Sequence, residues 1–339
     1  MTHTSTTKPA SAEAIGAVDA VARHITAVTI RNFAIRNAMA IVMVLVIVYF
    51  LVSSARFGTV DNVQNILLAA APFALIAFGQ TLVILTGGID LSVGSTIALS
   101  SMVAAFVTRA NPGQIWLGFA AALASGIVVG LINGLLVSFF NVPPFIATLA
   151  LLTSASGIAY VIGNGAPING LPIGFGDLAK FKILGLQLPV IVMIVGFVIL
   201  AILMKRTVFG SRIYAVGGNA QASRIAGIKV PRVLFSVYVI SGALAALSGI
   251  LLSSRVIAGT PTLGAGYELD AIAAVVIGGA SLLGGRGSIW GTAVGLLLIQ
   301  TLNNGLDLLL VPSYWQSVIK GILIATAVAV DVYVSKRVR

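Results

Sequence analysis

The sequence predicts an all-α fold: a polytopic membrane helix bundle of about ten transmembrane helices, with broken helices near Gly87–Gly94 and Gly278–Gly285. Three observations predict it. Hydrophobic residues make up 58% of the 339 positions and charged residues only 9%, against roughly 25% charged in soluble domains. Mean hydropathy is +1.08, and no soluble fold of this length has enough interior to hide so much apolar side chain. The apolar residues also fall into runs that suit helices of about 20 residues, the length a bilayer demands.

The elements follow in order. Residues 1–37 are polar and rich in Ser, Thr and Ala, a composition that predicts a partly disordered tail. The first apolar run, Ala38 to Val52, precedes Ser53-Ser54-Ala55, which resembles a signal-peptide cleavage site. The leader before it is far too long for a signal peptide, so the run reads as the first span. Further spans are expected near 66–85, 91–108, 115–139, 144–162, 186–204, 233–252, 268–283, 289–304 and 315–334. The 268–283 stretch is short and glycine-rich. Residues 38–339 thus form one transmembrane domain.

Ten spans would put both termini on one side, and charge decides which side. Of the 20 Lys and Arg, 14 then lie together: in the N-terminal tail, in 205–232, at Arg286 and after residue 335. The other six are Arg56, Arg109, Lys180, Lys182, Arg255 and Lys320. That bias predicts a cytoplasmic location for both termini and for 205–232. The net charge of +11 would suggest nucleic acid in a soluble protein; here it marks loops facing anionic lipid, and no nucleic-acid partner is expected. Cysteine is absent, and the two histidines, His3 and His24, lie in the tail. No metal site and no Ser/His/Asp or Cys/His catalytic set is therefore expected in the spans. A phosphate loop is missing too: after Gly284 come Gly285 and only then Arg286, not the Gly-Lys that cradles a phosphate.

One pattern repeats. Gly87-Gly88-Ile89-Asp90-Leu91-Ser92-Val93-Gly94 and Gly278-Gly279-Ala280-Ser281-Leu282-Leu283-Gly284-Gly285 share G-G-x-x-L-x-x-G. The match is either chance between two glycine turns or a duplicated broken helix, the kind of interruption that points to a transport pathway. Small residues four apart, Ala122, Gly126, Gly130 and Gly134, then Gly287, Gly291 and Gly295, predict close helix packing. Asp90, ahead of Leu91-Ser92-Val93, suits a helix cap, or a polar lining of the pathway. Gln80, Ser92, Asn133, Gln300 and Asn303 are the neutral candidates for that lining, a set compatible with a hydroxyl-rich cargo. Glu268, Asp270, Asp307 and Lys320 fall near predicted span ends.

Residues 205–232 form the longest internal polar segment, with six basic residues and no acid. Its centre, Asn219 to Gly227, reads as a short helix closed by a glycine C-cap, with Gly217-Gly218 as a turn before it. A basic surface held to headgroups would not need such a helix; a docking helix for a cytoplasmic partner would. Asn219, Gln221, Ala222, Ser223, Arg224 and Gly227 are its candidate contact residues.

The stretch from Gly79 to Gly94, GQTLVILTGGIDLSVG, closely resembles the signature of the ribose-type sugar ABC permeases. Phe209-Gly210, Tyr214 through Asn219, Ala226-Gly227-Ile228 and Gly278-Gly279 are similar to that family as well, and the resemblance runs from about residue 40 to the C-terminus. It implies a bacterial inner-membrane subunit that moves a monosaccharide inward by alternating access. It also implies a second permease copy (a homodimer, or a heterodimer), a cytoplasmic ABC ATPase that holds the ATP and Mg, and an extracytoplasmic sugar-binding protein. No cofactor would reside in this chain. In the wider ABC importers the docking loop carries E-A-A-x-x-x-G; here the matching positions read Gln221-Ala222-Ser223-Arg224-Ile225-Ala226-Gly227. The helix-then-glycine shape survives, while the carboxylate does not. The rival readings are an ATP-independent secondary carrier, a permease of the same superfamily for a nucleoside or a branched amino acid, and a membrane-embedded enzyme.

Overall fold

A computed structural model describes residues 38–322 and 325–326; the polar tail and most of the last expected span lie outside these residues. Helices dominate. They are α1 (Ala38–Ser53), α2 (Val60–Leu85), α3 (Val93–Ala110), α4 (Ile115–Ser138), α5 (Pro144–Ile162), a short α6 (Asp177–Lys180), α7 (Leu188–Arg206), α8 (Val208–Gly218), α9 (Ala220–Ile225), α10 (Val230–Val256), α11 (Tyr267–Ile277) and α12 (Ile289–Leu308). Among the described residues, one strand pair, β1 (Lys182–Ile183) and β2 (Leu186–Gln187), forms an antiparallel hairpin ahead of α7. Among the described residues, six helices are long and apolar enough to cross a membrane: α2, α3, α4, α5, α7 and α10. The chain is an all-α multi-pass membrane bundle.

The helices sort by burial. α2 is buried throughout its second half, from Ala70 to Leu85, whereas α4, α5 and α7 leave most of their length at least partly exposed. An apolar outer face is what lipid requires, since tails solvate Leu and Ile as well as protein does. The core pair is α4 with α10, and glycine makes it possible. A Cβ on Gly130 would stand 2.6 Å from the Tyr238 carbonyl, and one on Gly242 would stand 2.9 Å from the Gly130 Cα. The small-residue stripe of α4 is thus the seam against α10, as such stripes allow. Gly291 and Gly295 press likewise on Gly278 and Ala274 of α11.

Several sequence expectations are corrected. α2 starts at Val60, six residues ahead of the expected 66, because Thr59 caps it and its first turns are polar (Asp61, Asn62, Gln64); polarity hid them from hydropathy. The span expected at 268–283 is helical only to Ile277, because Gly278 ends α11 and Gly279 takes φ +87°. Gly287 is not part of the α12 stripe but of the loop before it, at φ +142°. Gly217-Gly218 form the last turn of α8 rather than a turn between helices. The last span, expected at 315–334, is helical from 313 as far as 322; its remainder, save 325–326, falls outside the described residues.

Contacts give each helix a direction. α12 runs antiparallel to α2: the Thr81 and Thr292 hydroxyls meet at 2.7 Å near one end and Asn62 pairs with Asn304 near the other. Between α10 and α11, residues 257–266 descend along α3. A Cβ on Gly259 would press on Ala105, while one on Gly264 would press on Ile97. α11 therefore starts level with the middle of α2, with Tyr267 edge-on to Phe73 at 5.7 Å between ring centres.

Candidate functional site

Both glycine repeats are helix breaks. The first separates α2 from α3 and the second separates α11 from α12. Their geometry is not identical: in the first pair the leading glycine, Gly87, takes φ +81°, and in the second the trailing glycine, Gly279, takes φ +87°. The two breaks meet. The Gly285 N–H donates to the Leu85 carbonyl at 2.9 Å, and a Cβ on Gly284 would sit 2.9 Å from Gly87 N. The end of α8 wedges into the same point: a Cβ on Gly217 would collide with the Leu85 carbonyl, and one on Gly285 would stand 2.9 Å from Gly218 Cα. Three backbones touch here because none carries a side chain. Tyr214, one turn earlier on α8, donates its hydroxyl to the Gly287 carbonyl at 3.0 Å; burial raises its pKa and keeps the donor protonated.

Four of the polar candidates gather around the first break. Asp90 is fully buried. Its Oδ1 accepts from the Ser92 N–H at 3.0 Å and the Ser92 hydroxyl at 2.6 Å, and its Oδ2 accepts from the Ser241 hydroxyl at 2.8 Å. Asn133 donates to Ser92 Oγ at 2.8 Å. Gln80, with its amide turned to satisfy both ends, donates to the Asp90 carbonyl at 3.1 Å and accepts the Asp90 N–H at 3.2 Å. Asp90 is therefore not the N-cap of α3, which is Ser92; it stands two residues ahead and closes a side-chain turn onto it. Gln300 and Asn303 lie apart from this cluster, on α12. Of the remaining glycines, Gly88 leaves room for the buried Tyr238 hydroxyl, which a Cβ there would approach to 2.6 Å, and Gly94 leaves room for the Glu268 carboxylate.

The expected docking segment, 219–227, folds as its residues dictate. The Asn219 side chain accepts the Ala222 N–H at 2.9 Å, an N-cap. At the other end Gly227 takes φ +82°, its N–H bonds Arg224 O at 3.0 Å and the Ile228 N–H bonds Ser223 O at 2.9 Å, the pattern of a Schellman cap. Ser223 alone is buried; Gln221, Ala222 and Arg224 are exposed. So is Ile225, at 83%, which sequence reasoning passed over because a helical pattern of six residues has no face to read. Sequence reasoning also left Glu268 and Asp270 at a span end, although they sit in the first turn of α11, next to Tyr267 and level with the middle of α2. Asp270 pairs with Lys320 at 2.9 Å.

Broken helices within an apolar bundle, and a capped helix exposed beside them, define a multi-pass membrane transport subunit. Residues 62–328 match the family described as the branched-chain amino acid transport system permease component. The chain is 49% identical over 280 residues to the ribose import permease protein RbsC of Bacillus subtilis, covering 80% of this chain and 84% of that protein. It is 36% identical over 299 residues to the L-arabinose ABC transporter permease protein AraH of Azospirillum brasilense, covering 88% of each. It is 37% identical over 300 residues to the D-allose transport system permease protein AlsC of Escherichia coli, covering 87% and 91%. No solved structure matches the chain. The chain belongs to the ribose-type sugar ABC permease family.

Proposed function

We propose that this chain is the inner-membrane permease of an ABC importer for a monosaccharide of the ribose, arabinose or allose kind. Two copies would enclose the pathway. A cytoplasmic ATPase would hold the ATP and Mg, and an extracytoplasmic binding protein would deliver the sugar. ATP binding would close the ATPase dimer and turn the permease outward; hydrolysis would reset it.

The observation that carries this reading is the capped helix Asn219–Gly227. Its exposed Ala222 and Ile225 suit a groove in a partner rather than water. Directly before it, α8 ends on the two helix breaks, so a push on the helix reaches the pathway through touching backbones. The test is reconstitution in liposomes with and without the ATPase and the binding protein. D-ribose, L-arabinose and D-allose are offered in turn, with leucine as the control that the family description suggests. Sugar uptake only with both partners and ATP supports the reading. Uptake by this chain alone on an ion gradient would sink it, and uptake of leucine but no sugar would reassign the cargo.

A further inference from the structure

We propose that a cavity at mid-depth in the bundle, whose lining includes Glu268, Ser95 and Ser156, holds the transported sugar during passage. The proposal rests on the reading of the chain as a sugar permease and adds the groups that the sugar would meet.

Position comes first. Tyr267 packs on Phe73, close to the middle of the 26-residue α2. Glu268, the next residue, therefore sits about as far from one end of the bundle as from the other. An ionisable side chain at that depth is costly unless it faces water or a partner, and such residues mark solute pathways. Glu268 has no ion-pair partner among the described residues, for Lys320 is taken by Asp270.

Space comes next. A Cβ on Gly94 would collide with the Glu268 carboxylate and stand 2.7 Å from the Gly264 carbonyl. The glycine keeps open the place that the carboxylate occupies. Beside it lies a cavity of about 130 Å³ whose walls include Ser95, Leu152, Ser156, Pro261 and Glu268, several times the ~15 Å³ that one water needs.

The lining has the chemistry of a site for a neutral polyol. A carboxylate accepts hydrogen bonds from hydroxyls, and charge makes them roughly twice as strong as neutral ones. Ser95 donates to the Ser92 carbonyl at 2.9 Å, which leaves its lone pairs free to accept. Ser156 makes no side-chain hydrogen bond among the described residues, so it can donate and accept. Leu152 and Pro261 offer apolar surface to the C–H face of a sugar ring. An anion would be repelled by Glu268. The carboxylate also faces the Gly266 and Glu268 backbone N–H groups at the start of α11, and its remaining lone pairs can accept from a ligand.

The complete complex provides the test. Wild type, Glu268→Gln and Ser156→Ala are compared for D-ribose uptake, with assembly checked by pull-down of the ATPase. In parallel, Ser156→Cys, the single thiol in a cysteine-free chain, is exposed to a small thiol reagent with and without millimolar D-ribose. Glu268→Gln should lower uptake by about tenfold or more, the size of one lost charge-assisted hydrogen bond. D-ribose should slow the labelling of Ser156→Cys. If Glu268→Gln fails to assemble, the Ser156 variants decide alone. Wild-type uptake in both substitution variants, with labelling unchanged by sugar, overturns the site and leaves the permease reading intact. Absence of uptake of any of the three sugars by the wild-type complex overturns both.

Discussion

Asp90 carries a carboxylate into the apolar interior, and among the described residues no cation meets it. Three hydroxyl or amide donors meet it instead, from Ser92 and Ser241, and Asn133 and Gln80 complete the cluster. The cluster ties the first helix break to α2, α4 and α10, so its first task is architectural. That assigns the consequence of substitution. Asn can accept from Ser92 as Asp does, and its amide can donate to Ser241 Oγ, so Asp90→Asn should keep sugar uptake within about threefold of wild type. Asp90→Leu strands the Ser92 and Ser241 donors, at about 1–3 kcal/mol each, and should reduce both membrane yield and uptake. Equal loss in the two variants, with assembly intact, would show that the charge itself serves transport. The sequence exposed part of this arrangement: Asp before Leu-Ser-Val signals a turn into a helix. Ser241, 151 residues away, carries no local signal, because a serine in an apolar helix looks the same whether or not a carboxylate faces it.

At the scale of elements, α8, which leads directly into α9, touches both breaks, and the proposed coupling rests on that contact. No atom lies within 4 Å of a Cβ built on Gly227, so a substitution there meets no clash inside the chain and is opposed only by the backbone, by about 1 kcal/mol. Asn tolerates that conformation and Val does not. Gly227→Asn should therefore bind the ATPase nearly as well as wild type, while Gly227→Val and Ala222→Trp should lose pull-down and uptake together. Normal pull-down and uptake for both bulky variants would move coupling elsewhere in the chain. Gly217→Ala tests the other end of the same piece. Its methyl would drive into the Leu85 carbonyl, so the docking surface should persist while uptake fails; uptake at the wild-type rate would mean that the junction transmits nothing. How much of this was legible varies with range. Asn219 and Gly227 bracket the proposed docking helix by local cap chemistry, which a sequence states openly. The breaks at Gly87–Gly94 and Gly278–Gly285 were legible as interrupted spans. Their meeting at Gly217 was not, because a glycine that admits a neighbour's backbone is indistinguishable in sequence from one that makes a turn, which is how Gly217-Gly218 read.

The whole molecule is polarised by charge. At the end where α8, α9 and the second break lie, the described residues include Lys205, Arg206, Arg212, Arg224, Lys229, Arg232 and Arg286, and no Asp or Glu. The opposite end has Arg56, Arg109, Lys180, Lys182 and Arg255 together with Asp61, Asp177 and Asp307. Basic residues in short loops are retained on the cytoplasmic side during insertion, whereas acids contribute little. The count of cations alone gives a modest bias; what sharpens it is that six of the seven sit in one segment, 205–232. The structure also supplies a matched pair of probes. Ser211 is exposed on α8, and Leu184, at the tip of the β1–β2 hairpin, is 99% exposed at the other end. Both can be made the sole thiol of a cysteine-free chain. In intact cells an impermeant thiol reagent should label Leu184→Cys and spare Ser211→Cys, and permeabilisation should make Ser211→Cys reactive. Labelling of Ser211→Cys from outside intact cells would invert the orientation. The docking helix would then face away from any cytoplasmic ATPase, and the importer reading would fall with it.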